Sequence, residues 1–392
     1  MLIITTLLLA TVGVSDVPVV DYDVTLEVVQ SGYDKEQCWV HARAGVIPGE
    51  LPVAVMTTQK LQLSGSDIFY GLNVFRKKVG EDAWEGPVEQ PTFLRRQNED
   101  GTETVVCDFS PKWHEASGTL LGTGHTAQYT GDKLVHNRRR KTEYAVYDAK
   151  KGEFLPWRML EMPTTVEPVE DDAFFNSGAG STQRVDLPEG DIFLPVYHKA
   201  KEAVYYNSSV LRCAFDGETL SVRAFGNALS VPIKRGLYEP SLAAFQGRYY
   251  LTLRNDDNGY VAVSDDGLHF GEPKIWNFDD GTPLGNYNTQ QHWVVHPDGL
   301  FLVYTRRGAD NDHVFRHRAP LFIAQVDPEN LCVIRATESI LVPERGARLG
   351  NFGVTRISDS ETWVTVTEWM QPAGCEEYGS DNSIYVARIR WE

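Results

Sequence analysis

Short apolar runs recur along the whole chain, each ending in a turn and followed by a second run and a downstream proline. The runs are rich in Val, Thr and aromatic residues, which is typical of short β-strands joined by turns. Successive copies start roughly 50 to 75 residues apart, a spacing that suits a four-stranded propeller blade. The clearest copies are Tyr70–Pro87, Glu143–Pro163, Asn207–Pro232, Tyr260–Pro273 and Pro320–Pro343, and a sixth, Ser383–Glu392, lacks its outer strand.

The two ends of the chain complement each other in this pattern. Residues Asp23–Ser31 alternate apolar and polar side chains and precede the first complete unit, whereas the last unit ends without an outer partner. Pairing Asp23–Ser31 with Ile384–Trp391 would close the ring and remove two exposed sheet edges. The sequence therefore predicts an all-β fold, a six-bladed β-propeller closed by the N-terminal strand, with residues 16–392 as one domain.

The net charge of the chain excludes some classes of binding partner. The 392 residues carry a formal net charge of −17, which excludes nucleic acid and anionic membrane surfaces because both require a basic face. The short basic run Arg138–Lys141 is interpreted as a solvated turn. An acidic protein can still bind an anionic sugar if a few arginines gather in one pocket.

The N-terminus resembles the core of an export signal. Residues Leu2–Val14 are apolar and end in small residues, but they lack a basic start and are too short to cross a membrane as a helix. We interpret residues 1–15 as a candidate signal peptide of a secreted or periplasmic protein, with a misassigned start codon and a cytoplasmic protein as the alternative. The cysteines contain no Cys-x-x-Cys pair, so we expect no metal site and no cofactor, and at most two disulfides, from Cys38, Cys107, Cys213, Cys332 and Cys375.

One predicted hairpin carries a family motif. Residues Ser264–Phe270 read Ser-Asp-Asp-Gly-Leu-His-Phe, in which a carboxylate caps backbone amides, glycine supplies a permissive φ and the aromatic ring packs under the turn. The segment resembles the Asp box, or BNR repeat, of the sialidase (neuraminidase) superfamily, although it is one residue shorter than the usual form. The resemblance implies a structural turn on the rim of a propeller and no catalytic role.

Three further segments resemble the sialidase active site. Glu-Pro-Ser-Leu from Glu239, followed by Gly-Arg-Tyr-Tyr-Leu-Thr-Leu-Arg ending at Arg254, is similar to the segment that holds a catalytic Glu and the second arginine of a carboxylate-binding triad. Arg318, just ahead of a third strand, is similar to the last triad arginine. Asp67, ahead of the third strand of the first blade, is similar to the acid/base Asp. The resemblance implies catalytic roles for Asp67 and Glu239.

These residue types suit a sugar that carries a carboxylate on its anomeric carbon. Guanidinium groups bind a carboxylate through charge-assisted, often bidentate hydrogen bonds. In sialidases a neutral Tyr activated by Glu attacks the anomeric carbon, and a separate Asp protonates the leaving oxygen. The resemblance therefore implies an exo-α-sialidase-like glycoside hydrolase that removes a terminal acidic sugar, sialic acid or a related one, from glycans.

Two positions depart from the family pattern. Residues 349–354 read Leu-Gly-Asn-Phe-Gly-Val where the family has Gly-Tyr-Ser, so Asn351 stands near the expected nucleophile and no Tyr occupies its place. The strand expected to carry the first triad arginine has Trp39 near that place and Arg43 further along. Without the Tyr, we predict direct attack by water, with Glu239 as the base and inversion at the anomeric carbon.

Other polar residues fall at predicted inner-strand starts or second-strand ends, which converge on the axis of a propeller. A structural hydrogen bond is the alternative role for each of them. The residues predicted to bind substrate are Arg43, His125, Arg184, His198, Arg254, Gln291, Arg306, Arg318 and Asn351.

Two other functions stay open. A polysaccharide lyase acting on uronic-acid polymers would draw on His125, Tyr197, His198 and Arg212, although lyase propellers of this type usually have seven blades. A non-catalytic glycan-binding propeller also fits the missing Tyr. In each case the expected partner is a glycan or polysaccharide, and for both enzymes it is anionic.

Overall fold

The computed structural model describes residues 17–65, 67–136, 138–163 and 172–392. The candidate signal segment Leu2–Val14 lies outside the described residues. Within those ranges the regular structure consists of β-strands and four single 3₁₀ turns, at Pro91–Phe93, Phe315–His317, Arg335–Thr337 and Cys375–Tyr378. In the described part of the chain, no helix is long and apolar enough to cross a membrane.

The strands form six antiparallel sheets that follow one another along the chain. Strand β1, Tyr22–Gln30, belongs to the last of them. Sheet 1 contains β2 (Gln37–Ile47), β3 (Val53–Gln62), β4 (Ile68–Lys78) and β5 (Glu85–Glu89). Sheet 2 contains β6 (Arg96–Gln97), β7 (Glu103–His114), β8 (Thr119–Thr130), β9 (Lys133–Leu134), β10 (Thr142–Asp148), β11 (Glu153–Phe154) and β12 (Arg158–Met159).

The remaining sheets have the same antiparallel order. Sheet 3 contains β13 (Asn176–Gly178), β14 (Val185–Asp186), β15 (Ile192–Lys199), β16 (Asn207–Phe215) and β17 (Leu220–Phe225). Sheet 4 contains β18 (Tyr238–Phe245), β19 (Arg248–Arg254), β20 (Tyr260–Ser264) and β21 (Lys274–Ile275). Sheet 5 contains β22 (His292–His296), β23 (Gly299–Tyr304), β24 (Leu321–Asp327), β25 (Cys332–Val333) and β26 (Ser339–Val342), and sheet 6 contains β27 (Phe352–Arg356), β28 (Glu361–Thr367), β29 (Ile384–Trp391) and β1.

A separate apolar cluster fills each interface between consecutive sheets. Between sheets 4 and 5, for example, the fully buried rings of Trp276 and Trp293 lie 5.7 Å apart. The last interface joins sheet 6 to sheet 1, where Trp363 and Val386 pack against Ala54. Because every sheet packs face to face on its two neighbours, the sheets close into a ring. The predicted all-β propeller class is confirmed.

The N-terminal strand closes this ring as predicted. Strand β1 pairs antiparallel with β29, with Tyr22 opposite Trp391 and Gln30 opposite Ile384. Glu27 also reaches into sheet 1, because its carboxylate accepts hydrogen bonds from Lys77 Nζ at 2.5 Å and Trp84 Nε1 at 2.8 Å. The same strand thus completes one sheet and fastens it to the next.

The turn after β20 has the geometry expected of Ser264–Phe270. Asp266 Oδ1 accepts the backbone N–H groups of Leu268 at 2.8 Å and His269 at 2.7 Å, and Gly267 has a φ of +78°. The ring of Phe270 is buried beneath the turn. All five cysteines lie in the described residues, and none of them forms a disulfide.

Candidate functional site

Three inner strands carry a β-bulge at the same level of the ring. The bulges lie between Val40 and Arg43 on β2, between Cys107 and Ser110 on β7, and between Tyr238 and Ser241 on β18. A bulge interrupts the alternation of a strand and re-aims one side chain. Inside each bulge one non-glycine residue adopts a left-handed φ, and these residues are His41 (+60°), Asp108 (+55°) and Glu239 (+47°).

The three re-aimed side chains line a cavity of about 400 Å³. Such backbone strain persists only where the surrounding structure holds it, and it concentrates at functional sites. Guanidinium groups outnumber carboxylates in this cavity, although the whole protein is acidic. The charged residues that line it are Arg138, Arg140, Arg235, Arg254, Arg316, Arg318 and Arg348, with Asp67, Asp108, Glu239 and Asp256.

Three guanidinium groups meet at one amide oxygen. Asn288 Oδ1 accepts hydrogen bonds from Arg254 Nη2 at 3.1 Å, Arg316 Nη1 at 3.1 Å and Arg318 Nη2 at 3.2 Å. Asn288 itself has a left-handed φ of +54°. A neutral amide thus occupies a position where three positive charges converge, and a carboxylate is the group such a cluster binds best. We refer to Arg254, Arg316 and Arg318 as the arginine cluster.

Burial lowers the pKa of two arginines in the cavity. Burial, reinforced by the charges of Arg254, Arg348 and Arg316, holds the pKa of Arg318 well below its usual range. Burial also lowers the pKa of Arg348 to about 10, against the opposing charge of Asp67. A bound anion would relieve both effects, because it would compensate the buried positive charge.

Glu239 forms a short bidentate pair with one member of the cluster. Arg254 Nη1 donates to Glu239 Oε1 at 2.6 Å and to Oε2 at 2.7 Å. Burial lowers the pKa of Arg254, but Glu239 and Tyr238 outweigh it, so the pKa is raised overall. The left-handed φ of Glu239 therefore places its carboxylate beside the arginine cluster.

Asp67 lies on another wall of the cavity, directly before β4. Its backbone carbonyl accepts a hydrogen bond from Tyr129 Oη at 2.6 Å, and its φ is +58°. The rings of Phe69 and Trp369, 6.1 Å apart, line the same cavity. The wall thus offers a carboxyl group and an apolar surface side by side.

A second polar network lines the same cavity. Asp108 Oδ1 accepts from Ser181 Oγ at 2.6 Å and Arg43 Nη2 at 2.9 Å, and Asp108 Oδ2 lies 3.8 Å from His125 Nε2. His125 Nδ1 lies 3.1 Å from the phenol oxygen of Tyr197.

Both groups at the end of this network are neutral. Burial, with the charge of Arg140, lowers the pKa of His125 well below its ordinary value, and burial raises that of Tyr197. Arg140 Nη1 donates to the Tyr197 oxygen at 3.0 Å. A phenol in contact with an imidazole, with a carboxylate 3.8 Å from the other ring nitrogen, forms a unit suited to proton transfer.

The structure brings six of the predicted site residues into this cavity. They come from different sheets and the loops between them, so only the closed ring assembles them. These residues are Asp67, His125, Glu239, Arg254, Arg318 and Asn351.

Five of the predicted residues do not line the cavity. Arg43 is buried below it, bonded to Asp108, and lines a second cavity further along the inner strands together with Arg184. Arg184 is held by Asp186 and two backbone carbonyls. His198 bonds to Ala173 and Ser209.

The other two belong to structural contacts of sheets 4 and 5. Gln291 is fully buried and bonds to Thr252 Oγ1 at 2.9 Å. Arg306 pairs with Glu338 at 2.7 Å. Each of these five side chains forms a hydrogen bond or an ion pair with a buried or partly buried group. A structural contact of this kind is the alternative role considered for each of them above.

Several cavity residues escaped the sequence prediction. His41, Asp108, Arg316 and Arg348 all line the cavity, as does Tyr197, which was named from the sequence only for the lyase alternative. Arg316 stands two positions before Arg318, and Arg348 directly precedes the segment 349–354, so their sequence positions offered a signal. Asp108 offered none, because only its bulge turns it inward.

The basic run Arg138–Lys141 needs a correction. Arg138 and Arg140 are partly buried and line the cavity, whereas Arg139 is exposed. The alternate residues of this loop face inward, so the interpretation as a solvated turn holds for Arg139 but not for its two neighbours. Among the described residues, no cluster of three or more His, Cys, Asp or Glu side chains is arranged to hold a metal ion.

Fold and cavity together define a β-propeller with an arginine-rich cavity ringed by its inner strands. The chain is similar to Trypanosoma rangeli sialidase (TM-score 0.62, 12% identity, covering 95% of this chain and 59% of that one). It is also similar to the NanB sialidase of Streptococcus pneumoniae (TM-score 0.60, 7% identity, 92% and 70% covered).

A third similar structure is a protein of unknown function from Dyadobacter fermentans (TM-score 0.60, 14% identity, 94% and 99% covered). This chain spans only 59% of the Trypanosoma rangeli sialidase and 66% of the Hadza microbial sialidase Hz136. No family model and no curated protein matches the sequence. At these identities the likeness shows the fold alone.

Proposed function

We propose that the protein is a glycoside hydrolase that removes a terminal acidic sugar, sialic acid or a related one, from glycans. The observation that carries the proposal is the arginine cluster, in which three guanidinium groups converge on Asn288 Oδ1. The substrate carboxylate binds this cluster beside Asn288 and pairs with the buried charges of Arg254 and Arg318. One of the similar structures, the Trypanosoma rangeli sialidase, is known in complex with sialic acid, which supports a ligand of this class.

Two of the four cavity carboxylates supply acid and base. Asp67 protonates the leaving glycosidic oxygen, beside the apolar rings of Phe69 and Trp369 that line the same cavity. Glu239, held by Arg254 beside the bound carboxylate, takes a proton from the attacking water. Because the position matching the family's Tyr holds Asn351, we keep the prediction of direct water attack with inversion.

A uronate lyase is the second candidate, and one observation favours it. Tyr197 contacts His125 at 3.1 Å and Arg140 at 3.0 Å, which joins a phenol, an imidazole and a guanidinium in the cavity. Such a unit can remove the proton next to a carboxylate that the arginine cluster neutralises. The lyase set expected from the sequence is incomplete here, because His198 and Arg212 bond elsewhere, Arg212 to Asp191 and Glu189.

Product analysis on a panel of sialosides and uronate polymers separates the candidates. A hydrolase releases a saturated acidic monosaccharide, and the proposal expects this product. An unsaturated uronate absorbing in the ultraviolet would establish the lyase instead. Binding without any product would leave a glycan-binding protein and overturn the proposal.

A further inference from the structure

Two exposed aromatic side chains directly precede residues that line the cavity. Of the Phe, Tyr and Trp residues in the described ranges, three are exposed: Tyr205 (37%), Phe315 (42%) and Tyr378 (55%). Phe315 directly precedes the cavity residue Arg316, and Tyr205 precedes the cavity residue Tyr206. An exposed apolar group costs free energy unless it has a partner, and exposed apolar patches mark binding sites.

Phe315 and Tyr378 belong to one stretch of the rim. The ring of Tyr378 packs on that of His313 with centroids 4.4 Å apart and an angle of 32°, and His313 lies two positions before Phe315. The contact joins the loop ahead of β24 to the loop between β28 and β29. The loop that carries Phe315 is therefore held against the loop that carries Tyr378.

The turn that presents Phe315 is firmly held. Val314 is buried in the core between sheets 5 and 6, and His317 Nδ1 lies 2.6 Å from Tyr287 Oη. Arg316 and His317 both have a left-handed φ, +58° and +52°. Backbone strain maintained by such anchors is found at functional sites, so the exposure of Phe315 is a feature of a fixed turn.

Phe315 lies on the same side of the cavity as the proposed catalytic acid, Asp67. The guanidinium carbon of Arg348 lies 5.2 Å from the centre of the Phe315 ring and 4.2 Å from that of Trp369. The same arginine is near enough to Asp67 to feel its charge. Phe315 thus lies on the Asp67 side of the cavity, where the leaving oxygen is protonated and the rest of the glycan must emerge.

We propose that Phe315 and Tyr378 form a subsite for the sugar on the leaving side of the cleaved bond. The inference rests on the proposed function and deepens it, because it assigns the substrate to oligosaccharides or polysaccharides rather than simple glycosides. The C–H faces of a pyranose ring are apolar and pack on aromatic rings, as in other ligand sites where aromatic walls carry the contact area. The acidic sugar occupies the cavity while the next sugar lies on the rim.

The test compares two substrates of the same acidic sugar, its methyl glycoside and a disaccharide or trisaccharide that ends in it. The variants Phe315→Ala and Tyr378→Ala are each expected to lower kcat/KM for the oligosaccharides about fivefold to tenfold, the scale of one aromatic contact. For the methyl glycoside, which has no second ring, the expected kcat/KM is that of the wild type. The matched control is Val88→Ala, an equally exposed apolar residue (57%) on the outer strand β5, with no effect on either substrate.

Failure of this inference and failure of the proposed function give different experimental results. If the methyl glycoside and the oligosaccharides lose activity equally in Phe315→Ala, or if neither changes in both variants, the subsite does not exist although the hydrolase does. If no substrate is cleaved, the proposed function fails. Calorimetric measurement of binding of the same trisaccharide then tests whether the subsite exists. Weaker binding in Phe315→Ala than in Val88→Ala would support the subsite, and equal binding, or none, would overturn it.

Discussion

Among the residues of the cavity, Arg318 has the clearest free-energy cost of burying a charge. Its side chain is 4% exposed, and among the described residues it forms no ion pair, only hydrogen bonds to Asn288 and Asn351. A buried charge without an opposite charge is strongly unfavourable. A residue of this kind is explained when a ligand supplies the missing charge.

Replacing Arg318 should therefore reveal the anionic ligand. We expect Arg318→Ala to weaken binding of the acidic sugar by about 2–5 kcal/mol, the range for losing one partner of a desolvated charge pair. Arg318→Lys should restore only part of the affinity, because the planar fork is lost. Calorimetry is the measurement, with the exposed Arg390→Ala as the control. Unchanged affinity in the alanine variant would remove the cluster from substrate binding.

The two carboxylates carry the catalytic prediction. Asp67→Asn and Glu239→Gln should each lower kcat by at least about a hundredfold, the scale of general acid–base catalysis. Both variants keep the shape of the side chain, so the circular dichroism spectrum should match that of the wild type. Near-normal turnover in both would shift the chemistry to the wall with His125 and Tyr197.

At the scale of an element, the β-bulges determine which site residues could be predicted from the sequence. Glu239, Arg254, Arg318 and Asp67 were predicted because short family-like segments place them at strand ends. Asp108 was missed because alternation along a regular strand assigns it no place in the cavity, and a left-handed φ in a bulge is not visible in the residue pattern. Tertiary context fixes such a conformation.

The predicted hairpin Ser264–Phe270 allows a matched test of one turn. Gly267 has a φ of +78°, and a Cβ there would lie 2.3 Å from Phe193 Cε2, whereas a Cβ at Gly271 would meet only Val263 O at 3.8 Å. Gly267→Ala should lower the free energy of unfolding by about 1–3 kcal/mol, and Gly271→Ala by much less. Denaturant unfolding measures both, and equal effects would contradict this account of the turn.

For the molecule as a whole, closure of the ring depends on β1. Deleting residues 17–31 unpairs β29 and removes the Glu27 contacts with Lys77 and Trp84. We expect a large drop in the melting temperature, because an exposed edge and an opened interface affect two sheets. The control is a deletion that ends at residue 16 and leaves β1 intact. A melting temperature equal to that of the control would show that the ring does not need this strand.

The buried histidines predict how stability depends on pH. Burial lowers the pKa of His41 and His125, that of His198 to about 4 and that of His292 to about 3. The unfolded chain binds these protons near the ordinary value of 6.5, so the stabilisation is complete above that pH and is lost as the pH falls below it.

Thermal unfolding between pH 7 and pH 4 measures this effect. The melting temperature should fall steadily toward pH 4. His198→Asn, at a residue that does not line the cavity, should make the decline shallower because one titrating group is removed. A wild-type melting temperature that stays constant to pH 4 would contradict the assignment of neutral buried histidines.

The central claim is that the cavity recognises a sugar carboxylate through Arg254, Arg316 and Arg318. The most direct measurement compares cleavage of one acidic glycoside with cleavage of the same compound after its carboxyl group is reduced to an alcohol. The account predicts that reduction lowers kcat/KM at least about thirtyfold, which corresponds to the lower end of the 2–5 kcal/mol expected for a desolvated charge pair. Equal kcat/KM values for the acid and the alcohol would contradict it.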